Sequence, residues 1–72
     1  MQLYLNINGD SGVHSFEIGF DYILVRFSNT QRIYSYSYAK AGARHVEELK
    51  RLALNGSGLN SYINKYTKFL YD

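Results

Sequence analysis

Seventy-two residues make one domain at most, and eight Lys/Arg against six Asp/Glu leave a net charge of only +2. The absence of cysteine excludes disulfides and thiolate metal sites, and no apolar run approaches the ~20 residues that a bilayer span requires. So short a chain buries only about 60% of the surface its unfolded form exposes. Its eight Tyr and four Phe, each able to bury ~150–250 Å², must therefore supply much of the core.

Residues 2–7 alternate, with Leu3, Leu5 and Ile7 on one face and Gln2, Tyr4 and Asn6 on the other, which predicts a half-buried strand. Asn8-Gly9-Asp10-Ser11-Gly12 is a turn cluster, and Asn8-Gly9 is a hairpin signal. Residues 13–20 alternate again and place His14, Phe16, Ile18 and Phe20 together. After a tight connection at Asp21-Tyr22, Ile23, Val25 and Phe27 form the apolar face of a third strand, with Leu24 and Arg26 opposite. Ser28-Asn29-Thr30-Gln31 has turn chemistry. The fourth strand, 32–38, carries the most regular pattern in the chain. Tyr34, Tyr36 and Tyr38 fall at every second position, so they form one aromatic row, with Ser35 and Ser37 on the other face.

The period changes after the small-residue connector 39–42. Ala43, Val46, Leu49, Leu52 and Ala53 follow three- and four-residue spacing, which predicts an amphipathic helix. Glu47 and Arg51, four apart, are expected to pair. Asn55-Gly56 is expected to close the helix with a left-handed cap, and Ser57 to cap a second helix. The apolar stripe of that helix is Leu59, Tyr62, Ile63 and Tyr66, extending to Phe69 and Leu70. The predicted fold is α+β: a four-stranded antiparallel meander followed by two C-terminal helices packed on one face, a single domain over 1–72.

These residues resemble, over most of the chain, the KTSC domain, a small domain found at the C-terminus of some lysyl-tRNA synthetases and as stand-alone bacterial proteins. Ser15, Ile18, Gly19, Phe20 and Asp21 resemble its opening Ser…Ile-Gly-Tyr-Asp, and Leu24, Val25 and Phe27 its apolar strand. Tyr34-Ser35-Tyr36 resembles its Tyr-x-Tyr. Leu49, Ala53, Ser57-Gly58, Leu59-Asn60, Ile63 and Tyr66 resemble its helical ending. The chain has no proline, where the family commonly places Val-Pro after the Tyr-x-Tyr strand. The resemblance implies RNA binding, through the family's attachment to a tRNA enzyme, and implies no defined catalytic activity.

Charge is uneven. Residues 1–21 hold three acidic and no basic residues, for −3, while residues 22–72 hold eight basic against three acidic, for +5. Such asymmetry suits an anion-binding face. An arginine beside a tyrosine offers a charge for phosphate and a ring for a base. Arg26 and Arg32 are expected to lie close across their turn, beside Tyr36 and Tyr38. Lys40 and Arg44 follow the tyrosine strand, and Asn60 and Lys65 lie on the last helix. These eight residues are the expected nucleotide-binding set. Tyr34 and Tyr36 have a competing role as core, facing the helices.

His14 and His45 match no zinc spacing, and no carboxylate pair implies acid–base chemistry, so neither enzyme activity nor a cofactor is expected. The N-terminus has no basic segment leading into an apolar one, so no signal peptide is expected, and the reading is a soluble, cytoplasmic protein. Its function is read as a non-catalytic nucleic-acid-binding module, for RNA. One alternative is a small nucleotide-signal binder acting as a homo-oligomer, in the manner of phage counter-defence proteins. Another is a protein–protein interaction module.

Overall fold

The computed structural model describes residues 1–9 and 11–72; the Asp10 of the expected turn cluster lies outside the described residues. The strands are β1 (Gln2–Leu3), β2 (Val13–Ile18), β3 (Tyr22–Phe27) and β4 (Ile33–Ser37), in the spatial order β1-β2-β3-β4 with every pair antiparallel. Helices α1 (Ala43–Asn55) and α2 (Leu59–Tyr62) follow, and α2 runs on as a π-helical turn, Ile63–Thr67. The α+β meander with helices on one face is therefore the fold.

The register fixes which side chains face the helices. Ile23 lies opposite Tyr36 and Val25 opposite Tyr34, and directly opposed residues share a face. Ile23 and Val25 are fully buried and Tyr36 is 1% exposed. From the helical layer, Val46, Leu49 and Leu59 are fully buried and Ala53 and Ile63 nearly so. The two periodicities, 2.0 in β3 and β4 and 3.6 in α1, meet in one core.

Several local expectations are corrected. In β2 the register shifts between Val13 and Ser15, so His14 is an inserted bulge residue. The bulge turns Val13 (3% exposed) inward with Phe16 and moves His14 off the Phe16 face. Phe20 is not a core residue either. Gly19 N–H bonds the Tyr22 carbonyl (3.0 Å), which leaves Phe20 on a turn tip, 90% exposed. A Cβ on Gly19 would collide with the Tyr22 ring, so this turn needs glycine.

The first strand has the opposite phase from the one its alternation suggests. Tyr4 is buried and Leu3, Leu5 and Ile7 are exposed. The Tyr4 ring buries more area than any of those aliphatic chains, and its hydroxyl accepts the Leu59 N–H at 3.3 Å. Asn6, at φ 53, then breaks the extended chain, a conformation asparagine tolerates. The Ile7 N–H bonds the Gly56 carbonyl (2.9 Å).

The helix ends are the remaining corrections. Gly56, at φ 79, closes α1 as expected, its N–H on the Leu52 carbonyl at 3.0 Å. Glu47 pairs with Lys50 and Glu48 with Arg51, three apart rather than four. Ser57 caps nothing: Gly58 occupies the cap position of α2, and the Ser57 hydroxyl accepts the Asn8 amide at 3.2 Å.

In the π-helical turn, each residue rotates by less than the ~100° of an α-helix. Thr67, not Tyr66, therefore falls beneath Ile63. Thr67 is fully buried, while Tyr66 is 51% and Phe69 77% exposed. The Thr67 Oγ1 has no hydrogen-bond partner among the described residues. An unpaired buried hydroxyl costs about 1–3 kcal/mol, and valine has nearly the same shape. Thr67→Val is expected to stabilise the fold by about 1 kcal/mol, raising Tm by roughly 4–8 °C for a domain of this size. Thermal denaturation checks this; an unchanged or lower Tm would mean that the hydroxyl is paired.

Candidate functional site

Strand β4 directs Tyr34 and Tyr36 toward the helices. Its outer edge is closed by the chain's last residues. The Asp72 N–H bonds the Ser35 carbonyl (2.7 Å), and the hydroxyls of Ser35 and Ser37 donate to the two Asp72 carboxylate oxygens at 3.0 and 2.7 Å. This clasp brings Tyr71 edge-on to Tyr34, with centroids 4.9 Å apart at 89°. Phe27 meets Tyr34 in the same manner at 5.5 Å. Arg32, two residues before Tyr34, lays its guanidinium 4.7 Å from the Tyr34 centroid and 5.3 Å from that of Tyr71. A cavity of about 230 Å³ opens here, lined by Phe27, Tyr34, Asn64, Lys68, Phe69 and Tyr71 among others.

Beyond Phe69 the same band continues along the π-helical turn. The Lys68 ammonium stands 5.5 Å from the Phe69 ring and that of Lys65 5.5 Å from the Tyr66 ring. Tyr66 stacks on His45 at 6.3 Å and 26° and leans on Tyr62 at 4.7 Å. The His45 Nδ1 is hydrogen-bonded to the Tyr62 hydroxyl at 2.8 Å. Arg44 and Glu48 complete this cleft, of about 490 Å³. Burial, and then the charge of Glu48, push the Tyr62 phenol up from its ordinary value, so it stays neutral.

A third cleft, of about 590 Å³, is polar. Asn8 and Ser11 form one wall and Asn60, Ser61, Asn64 and Lys65 the other. It brings together two of the expected residues, Asn60 and Lys65.

The structure separates the others. Arg26 pairs across the strands with Ser15 and Ile33, on the face away from the helices, and donates to His14 Nδ1 at 3.0 Å. Arg32, on the Tyr34 side, is on the opposite face, so the expected Arg26–Arg32 pair does not form. Tyr36 is 1% exposed and forms part of the floor of the cavity beside Tyr34 rather than an open stacking surface. Tyr38 is held by α1: its hydroxyl donates to Glu47 Oε2 at 2.5 Å, and Lys50 lies 5.6 Å from its ring. The Glu47 carboxyl is held below its ordinary range by hydrogen bonds from Lys50 and then Tyr38. Lys40 stands exposed in the turn after β4, its N–H on the Ser37 carbonyl (3.2 Å). Arg32, Arg44 and Lys65 remain on the band, and Asn60 lines the polar cleft beside it.

Tyr66 and Phe69 are exposed although α-helical spacing assigns both to the core. The signal in the sequence is Lys65 and Lys68, which flank them on the same stripe.

Among the described residues no ion pair engages Arg32, Arg44, Lys65 or Lys68; the two that form involve Lys50 and Arg51. No group of His, Asp and Glu among the described residues is arranged to hold a metal, and no helix among them is long and apolar enough to cross a membrane. No protein-family model, curated protein or solved structure matches the chain.

Burial, and then Tyr34 and Tyr71, push the Tyr36 phenol up to about 12. Its unfolded value is 10.0, so the folded state holds the proton more tightly. The associated stability is present below pH 10 and lost as pH rises from 10 to 12, at about 1.4 kcal/mol per pH unit. Tyr36→Phe removes this component, so its unfolding free energy should fall less steeply across that window. Urea denaturation from pH 9 to 12 measures both slopes; equal slopes would show that another group is responsible.

Proposed function

We propose that the protein is a non-catalytic, cytoplasmic RNA-binding module that holds single strands along the band from Arg32 to Arg44. The observation that carries this reading is the interleaving of cations with rings that are exposed, as Tyr66 and Phe69 are, or half-buried. Arg32 lies with Tyr34 and Tyr71, Lys68 with Phe69, Lys65 with Tyr66, and Arg44 borders the His45–Tyr62–Tyr66 cleft. Phosphates are neutralised by the cations while bases stack on the rings, with little dependence on sequence from stacking alone. A double helix hides its base faces, so the exposed aromatic edges favour unpaired strands. The resemblance to the KTSC domain supports the same reading, and we include membership of that family in the proposal. The clefts are open, which suits a strand passing over them better than an enclosed small nucleotide.

Fluorescence anisotropy with labelled single-stranded RNA tests it. Affinity should fall with salt, the logarithmic slope being about −0.7 per phosphate contacted. Four cations give a slope of about −2 to −3, and Arg32→Ala or Lys68→Gln should each lower its magnitude by about 0.7. Phe69→Ala should cost about 1–3 kcal/mol of binding and leave Tm unchanged, since the ring is 77% exposed. Absence of binding at low salt would overturn the proposal. A rise in Tm with mono- or dinucleotides but not with long RNA would replace it with a small-nucleotide binder.

A further inference from the structure

The polar cleft differs in chemistry from the aromatic band it adjoins. Asn8, Asn60 and Asn64 each bring a carboxamide, with donor and acceptor on one rigid plane, and Lys65 brings the one charge among the described lining residues. Among the described residues, no carboxylate and no guanidinium lines it. Asn60 and Asn64, four apart, project from the same side of the α2–π segment. Among the described residues, the side chains of Asn60, Ser61 and Asn64 make no hydrogen bond, and Asn8 spends only its NH₂ group, on Ser57. At about 590 Å³ the cleft is within the size range of small-ligand sites, ~300–1,000 Å³.

Two of its residues belong to the band as well. Lys65 faces the Tyr66 ring, and Asn64 also lines the cavity of Tyr34, Phe69 and Tyr71. A strand stacked on Tyr66 and Phe69 therefore passes the mouth of the cleft. Side-chain chemistry then narrows what enters. On the major-groove edge of a base, guanine is matched by arginine and cytosine by carboxylates, whereas a carboxamide matches the amino group and N7 of adenine with two hydrogen bonds. We propose that the Asn60–Asn64–Lys65 cleft is a base-reading subsite selecting an unpaired adenine nucleotide, with Lys65 on its phosphate. This rests on the RNA-binding reading and adds specificity to it.

The test compares oligo-A, oligo-C and oligo-U of equal length at fixed salt, by anisotropy, on the full chain. The intact protein should prefer oligo-A by about tenfold, the ratio a single good bidentate contact provides. Asn60→Ala with Asn64→Ala should abolish the preference and leave the salt slope unchanged. Asn64→Asp, nearly isosteric, should shift the preference toward oligo-C. Lys65→Gln should lower the salt slope and keep the preference. Equal affinity for all three oligomers, or a preference that survives the double substitution, would overturn the subsite while leaving RNA binding intact. Failure to bind any oligomer would overturn the RNA reading itself and the subsite with it.

Discussion

Burial of the Tyr36 ring against Ile23 is the constraint on which the rest of the molecule depends. Side chains alternate along a strand without a bulge, and the register of β4 on β3 has none, so one residue placed inward fixes the others. With Tyr36 in the core, Tyr34 must face the helical side, and Arg32 with it. Ser35 and Ser37 must face away, where their hydroxyls grip Asp72. That grip closes the β4 edge, which would otherwise present unpaired backbone groups, and it sets Tyr71 against Tyr34. A core residue thus determines where the Arg32 platform stands, although it takes no part in it.

The second determinant is the winding of the last helix. A regular α-helix through 59–67 would carry Tyr66 on the apolar stripe of Leu59 and Ile63. The π turn substitutes Thr67, leaving its hydroxyl without a partner, and presents Tyr66 beside His45 and Phe69 to solvent. Single π turns are uncommon and recur at functional sites. Here the local cost in the core coincides with the gain of two exposed aromatic rings between cations.

Electrostatics follows the same division. Glu47 and Glu48 are each engaged by a lysine or arginine of α1, and Asp72 by serines. The carboxylates near the helical layer are thereby occupied locally, and the net positive charge of residues 22–72 is expressed by Arg32, Arg44, Lys65 and Lys68 along one band. A modest net charge of +2 therefore understates the field an approaching polyanion meets.

The strands β2 to β4, helix α1 and its glycine cap were legible in the sequence, because their apolar spacing and turn residues are local properties. So was the inward role of Tyr36, as one of two options that alternation leaves open. The phase of β1, the His14 bulge and the π turn were not. Each is decided by a comparison between distant residues: Tyr4 reaching Leu59, Val13 filling the space beside Phe16, Thr67 fitting beneath Ile63. The candidate site divides likewise. Residue types announced arginine beside tyrosine, but Arg32 met Tyr34 rather than Tyr36 or Tyr38. Strand pairing alone put Arg26 on the opposite face, and the helix winding brought Tyr66 and Phe69 out. Periodicity specifies that a face exists; the packing of one element against another decides which face is buried.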